Sequence, residues 1–210
     1  MKYLALIFLL ALFSFTSCKK KELEFKFTGN IKSLNNNSNL ANADVKIYVN
    51  TAGSANQVLE ATTTSDNSGN YEVSIERSKY ETVTIKVSKS NYFNVEEAYS
   101  IDDLTTSDPN EIDYSLSPKS WTKFILKNVP AGNSGDVLKI QKVSGKTNCD
   151  DCCPNETKFY YGVIDEVVYC PNDGDTYMKF FWFVEGTTTM NGVDSIYNTP
   201  FDTISYTIEY

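Results

Sequence analysis

The chain has 210 residues, with 19 Lys and Arg against 27 Asp and Glu, a formal charge of −8 and no histidine. An acidic balance of this kind argues against nucleic acid and against an electrostatic grip on anionic lipid head groups. The absence of histidine removes Ser–His–Asp and Cys–His nucleophile pairs and any His-ligated zinc, so the composition points away from an enzyme.

At the N-terminus, Met1-Lys2-Tyr3 leads into an apolar run from Leu4 to Phe15, then Thr16-Ser17-Cys18 and Lys19-Lys20-Lys21. One positive charge, a short apolar core and small residues before a cut predict a secretory signal peptide over residues 1–17. The run is shorter than the about 20 residues that a membrane span requires. Thr16-Ser17-Cys18 resembles the lipobox of bacterial lipoproteins, with Phe15 where that motif most often has Leu. The resemblance implies that Cys18 becomes the lipid-bearing first residue of the mature chain. Residues 18–24 would then be a tether that attaches the protein to the outer membrane, on its periplasmic or cell-surface side.

Beyond the tether the residues favour strands. Glu24–Ser33 alternates, with Phe25, Phe27 and Ile31 on one face. Asn35–Asn39 makes a polar loop, Ala43–Asn50 groups Val45, Ile47 and Val49, and Val58–Thr64 is a further strand. Ser65–Asn70 has the Asp, Asn and Gly of a hairpin turn. Tyr71, Val73 and Ile75, then Val83, Ile85 and Val87, form two more one-faced strands. Glu96–Asn110 reads as an acidic, Pro-containing segment without an assigned element. Short strands separated by turns at this spacing predict a sandwich or small barrel.

Three segments carry a second resemblance: Gly29-Asn30-Ile31, Leu40–Ile47, and Thr63–Val73 with its Thr-x-x-Asp-x-x-Gly-x-Tyr pattern ending at Tyr71. Together with Tyr80–Tyr92 and Asp113–Pro118 they resemble the carboxypeptidase-regulatory-like family. The resemblance implies a transthyretin-like (prealbumin-like) β-sandwich of about seven strands over residues 25–118. Such modules serve as accessory, stiffening or docking units. The enzymes of this shape or linked to this module depend on histidines that are absent here.

Pro118 marks a boundary, and the strand pattern restarts at Trp121. Phe124 and Leu126 share a face, Leu138 and Ile140 belong to a second strand, and Phe159–Tyr169 reads as a third. Thr176–Val184 is apolar on both faces, which predicts a central strand covered on both sides. The last residues alternate, with Ile204, Tyr206, Ile208 and Tyr210 together. Residues 119–210 therefore predict a second β-sandwich, Ig-like or related, and the whole chain an all-β protein of two consecutive sandwiches.

Cys149, Cys152, Cys153 and Cys170 form an even set, which in an exported chain reads as disulfides. A Cys152–Cys153 bridge would be strained, so the preferred pairing joins Cys149 or Cys152 to Cys170, at about 2–4 kcal/mol per bridge. A Cys₄ zinc site and a redox pair at Cys149–Cys152 are the alternatives, and neither has its usual spacing or context. Asp66, Asp173 and Asp175 lie in Asp/Asn/Gly loops that supply oxygens of the kind calcium takes, as does Asp150-Asp151. None has EF-hand spacing, and turns demand the same residues. No other cofactor is indicated. Trp121, at the boundary, is the candidate for stacking on a sugar ring, whereas Trp182 sits in the apolar strand and reads as core. These features predict a non-catalytic, lipid-anchored envelope protein acting as an accessory or adhesive module. Its partner would be another envelope protein, with cell-surface glycan capture as the alternative.

Overall fold

The computed structural model describes residues 23–129, 133–149, 151–186 and 189–210. Cys18 and the signal peptide lie outside them. The described chain is all-β apart from one 3-10 turn, Ile101–Asp103, and no described helix is long and apolar enough to cross a membrane.

The first sandwich contains β1 (Glu24–Ser33), β2 (Asp44–Thr51), β3 (Val58–Thr64), β4 (Asn70–Glu76), β5 (Tyr80–Ser88), β6 (Val95–Ser100), β7 (Asn110–Glu111) and β8 (Tyr114–Leu116). One sheet runs β4-β1-β7, with β8 also on β1, and the other runs β3-β2-β5-β6. Alternation puts Phe25, Phe27 and Ile31 of β1 against Val45 and Ile47 of β2 and Val83 and Ile85 of β5, all buried. The Ser65–Asn70 turn is not a hairpin, because β3 and β4 belong to opposite sheets. Ser65 is drawn into the core, where its Oγ donates to the Leu40 carbonyl (2.6 Å) and accepts from the Ala43 N–H (2.9 Å). That anchor turns the chain across the sandwich instead of back along the ladder.

Residues 96–110 also hold an element that alternation does not reveal. β6 pairs antiparallel with β5 as an edge strand, and its Glu96 and Glu97 face solvent. An exposed edge strand carries charge on both faces, which hides its period of two.

β7 and β8 both run parallel to β1, and between them the chain crosses close over Gly29. A Cβ on Gly29 would lie 1.8 Å from the Ile112 carbonyl oxygen. The Ile112 N–H donates to the Thr28 carbonyl (2.8 Å), and its carbonyl accepts from the Tyr71 hydroxyl (2.8 Å).

The second sandwich contains β9 (Lys119–Lys127), β10 (Val137–Ser144), β11 (Lys158–Tyr161), β12 (Asp165–Asp173), β13 (Thr176–Glu185), β14 (Met190–Asn198) and β15 (Thr203–Glu209). Its sheets are β11-β10-β13-β14 and β12-β9-β15, the last pair parallel. Their shared core includes Phe124, Leu126, Leu138, Met178, Phe180 and Ile208. Phe180 meets Phe124 and Tyr206 edge-on, with centroids 4.9 and 4.8 Å apart. The expected single strand at Phe159–Tyr169 is two strands in different sheets. The chain leaves β11 at Gly162, whose N–H donates to the Asp136 carbonyl (2.7 Å).

Gly29→Ala should lower the unfolding free energy by about 3 kcal/mol or more, because the main chain of residues 111–113 has to move away from β1. Urea denaturation checks this. A loss within the surface range of about 0.5 kcal/mol would show that the close crossing is not needed.

Candidate functional site

β13 is central in its sheet, with β10 and β14 on either side, but described residues cover only one of its faces. Met178, Phe180 and Val184 point into the core, whereas Tyr177, Lys179, Phe181 and Phe183 point outward. The expected coverage on both faces is thus corrected: no described element packs over the second face of β13, where Tyr177 and Lys179 are exposed and Phe181 and Phe183 half-buried. Ladder register places Phe159 and Tyr161 of β11, Val137 and Gln141 of β10, and Val193 and Tyr197 of β14 on the same outer face.

The exposures are large for such side chains: Val193 76 %, Tyr161 70 % and Tyr177 58 %. Phe159 and Tyr161 lie nearly parallel at 6.3 Å, and Tyr177 meets Tyr197 at 5.2 Å. Lys139 stands between Phe159 and Phe183, near both rings, and pairs with Glu185. Most side chains of the face are aromatic or aliphatic. What it offers is apolar area and ring faces, with hydrogen-bonding groups set among them.

β14 adds Val193 and Tyr197 to this face, alongside Asn191 and Ser195. On its other side Gly192 is partly buried, Asp194 is exposed, and Ile196 and Asn198 are buried. Gly192 is required where the Trp182 ring presses on the main chain, since a Cβ there would lie 2.6 Å from Nε1. Asp194 accepts from the Tyr206 hydroxyl (2.8 Å), and buried Asn198 accepts from Thr122 Oγ1 (3.0 Å). Of the two, Asn198 is buried and Asp194 is exposed. Sequence reasoning missed Val193 and Tyr197 as outward residues. The available signal was Val193-x-x-x-Tyr197, which a period of two puts on one face.

The disulfides are Cys149–Cys152 and Cys153–Cys170. Cys170 is bridged by Cys153, not by Cys149 or Cys152 as expected. The Cys152 N–H donates to the Cys149 carbonyl (3.1 Å), so those two close a tight turn on themselves. Cys153, one residue on, then reaches β12. The second bridge still pins the 147–154 loop to that strand.

The predicted calcium residues are spread apart and occupied. Asp66 Oδ1 accepts from the Ser68 and Asn70 N–H groups (2.8 and 2.9 Å), which is turn capping. Asp173 pairs with Lys146 at 3.0 Å, and Asp175 accepts from the Tyr197 hydroxyl. No group of three or more Asp, Glu or Cys suited to holding a metal occurs among the described residues, and Asp150 lies outside them. Trp121 is half-buried on the outer face of β9, between Pro171 and Thr203, and so stands on the other sheet from the aromatic face.

A polar cleft of about 670 Å³ in the first sandwich is lined by Asp66, Glu72, Glu111, Asp113 and Tyr71. Glu72 pairs with Lys26 (2.7 Å), and Asp113 accepts from the Asn30 N–H (2.7 Å). Behind it, the Tyr99 and Tyr114 hydroxyls are 3.4 Å apart. Burial raises both Tyr71 and Tyr114 well above the ordinary tyrosine value, and neighbouring Tyr99 adds to each shift.

Neither protein-family models nor curated proteins give a match to this sequence. Among solved structures, the TIE protein of Bacillus anthracis is similar with a TM-score of 0.39 at 11% identity, covering 89% of this chain and 34% of that one. A streptococcal ancillary pilin gives 0.35 at 9% identity, covering 85% of this chain and 62% of that one. The shaft pilin SpaA of Lactobacillus rhamnosus GG gives 0.33 at 9% identity, covering 90% and 97%. This chain thus spans about a third and three-fifths of the first two. The chain's own sheets define its fold.

Because the Tyr71 and Tyr114 phenols resist ionisation in the folded state, the stability they confer is complete below about pH 10 and falls as pH rises beyond it. Tyr114→Phe should make that alkaline decline shallower. Tyrosinate absorbance followed alongside unfolding tests this, and an unchanged decline would remove Tyr114 from the cause.

Proposed function

We propose that this protein is an exported, non-catalytic accessory or adhesive module of the cell envelope. Cys18 carries its lipid, and the aromatic face of the β11-β10-β13-β14 sheet docks a partner protein. The observation that carries this reading is the open outer face of β13, continued by Phe159, Tyr161, Val193 and Tyr197. Contiguous exposed apolar surface rimmed by polar groups is the mark of an interaction site, and aromatic anchors supply most interface energy. The segment Ser117–Lys119 supports it, since its main chain bonds to Asn91 and Phe93 of the first sandwich and to Gly174 and Phe201 of the second.

Glycan capture is the second reading, and it draws on this same face more than on Trp121. Gln141, Lys179 and Asn191 stand among the rings there, and ring faces beside hydrogen-bonding groups suit a sugar.

The test uses the full chain in nonionic detergent, immobilised with its disulfides intact and mixed with solubilised envelope and, separately, with envelope polysaccharide. The comparison is a triple variant carrying Tyr161→Ser, Tyr177→Ser and Val193→Ser. One stoichiometric protein, retained about tenfold or more weakly by the variant, is expected. The variant should melt as the parent does, since its changes lie on exposed positions. Retention of polysaccharide alone would move the assignment to glycan capture. Equal retention by parent and variant would remove the aromatic face from the function.

A further inference from the structure

A second feature of this sandwich lies inside it. Between the two sheets, on the side where β11 and β12 run, is a partly enclosed pocket of about 80 Å³. Its inner wall is apolar, made by Phe124, Ile140, Val168, Met178 and Phe180. Cys153 and Pro154 of the disulfide-pinned loop close one side, and Glu156 and Lys158 also border it.

Lys142 enters this apolar space from the core side of β10 and is only 6 % exposed. Its Nζ donates to the main-chain carbonyls of Lys146 and Cys153. An ammonium carries three N–H donors, so these two bonds leave one unused. No Asp or Glu forms an ion pair with Lys142 among the described residues. Burial pushes its amine below the ordinary lysine value, as expected of a cation without a counter-ion. A leucine or methionine at this position would fill the same space without the desolvation cost, but would leave the Lys146 and Cys153 carbonyls without this donor. The two carbonyls compensate the buried charge only in part, and an anion would complete it.

We propose that the pocket binds a short aliphatic monocarboxylate, with its carboxylate on the Lys142 ammonium and its hydrocarbon end against Met178 and Phe180. The enclosed volume is about half of the ~150 Å³ that accommodates a benzene ring, which suits a hydrocarbon part of about three carbons. The pocket's apolar wall selects for the tail, and the buried Lys142 ammonium, with Lys158 also at the border, selects for the head. The aromatic face plays no part in this binding, so the two proposals stand or fall separately.

Butyrate is the probe, titrated into the full chain in nonionic detergent with methionine methyl groups ¹³C-labelled. The Met178 methyl signal should shift saturably, while that of Met190, exposed on β14, should not. Butan-1-ol, which has the same tail and no charge, should bind at least about tenfold more weakly, as should butyrate to Lys142→Met. Val168→Phe keeps the lysine and fills the pocket, and should abolish the shift. Lys142→Met should melt close to the parent, because relief of the buried charge offsets the loss of its two carbonyl hydrogen bonds. Equal shifts from butyrate and butanol would reduce the site to an apolar void and overturn the proposal. An unmoved Met178 signal in the parent would overturn it as well, and a lower melting point for Lys142→Met would then assign the amine to bracing the 146–153 loop.

Discussion

Three consecutive residues, Ser117, Pro118 and Lys119, exchange main-chain hydrogen bonds with both sandwiches. The Ser117 carbonyl accepts from Phe93 (2.9 Å), and the Lys119 N–H donates to Asn91 (2.8 Å), both in the first sandwich. The Pro118 carbonyl accepts from Gly174 and the Lys119 carbonyl from Phe201, both at 2.7 Å and both in the second. Tyr92 packs edge-on against Phe201 at 5.3 Å, and the Lys119 and Lys146 amines lie over the Phe93 ring at 5.2 and 4.6 Å. A linker with its polar groups satisfied on both sides is a continuation of the two folds and not a hinge. The orientation of the outer sheet face toward the first sandwich depends on this short segment.

Much of the fold was legible because most strands expose one face and bury the other. β1 and β3 occupy the expected residues, and the alternation of β15 holds. The reading failed where that simple alternation was broken for a physical reason. Glu96 and Glu97 mark an edge strand, so their charges resemble a loop. Phe159–Tyr169 is rich in aromatic and β-branched residues on both sides of Gly162, so one pattern covers two elements. Ser65 looks like any turn serine, and only its two buried hydrogen bonds reveal an arch between sheets.

The candidate site was less legible, and β13 and β14 explain why. A strand with apolar residues on both faces is ordinarily buried on both, and no feature of Thr176–Glu185 alone announces that one face is open. β14 is the complement: its buried Asn198 looks like a surface residue until its partner, Thr122, is known. Hydrophobic pattern reports what a side chain is, whereas exposure also depends on what lies opposite. The disulfides follow the same logic, since adjacent Cys152 and Cys153 are equivalent in sequence and are separated only by which of them reaches β12.

The parallel placement of β7 and β8 beside β1 has a mechanical consequence. β1 leads in from the N-terminal side, and β8 leads out through Pro118 to the second sandwich. Pulling these two ends apart drives parallel neighbours in opposite directions along their length. The ladder bonds from Phe27 to Ser33 are then loaded together in shear, not peeled open one at a time. A chain tethered at one end and gripped at the other would meet that tension with its first sandwich acting as a clamp.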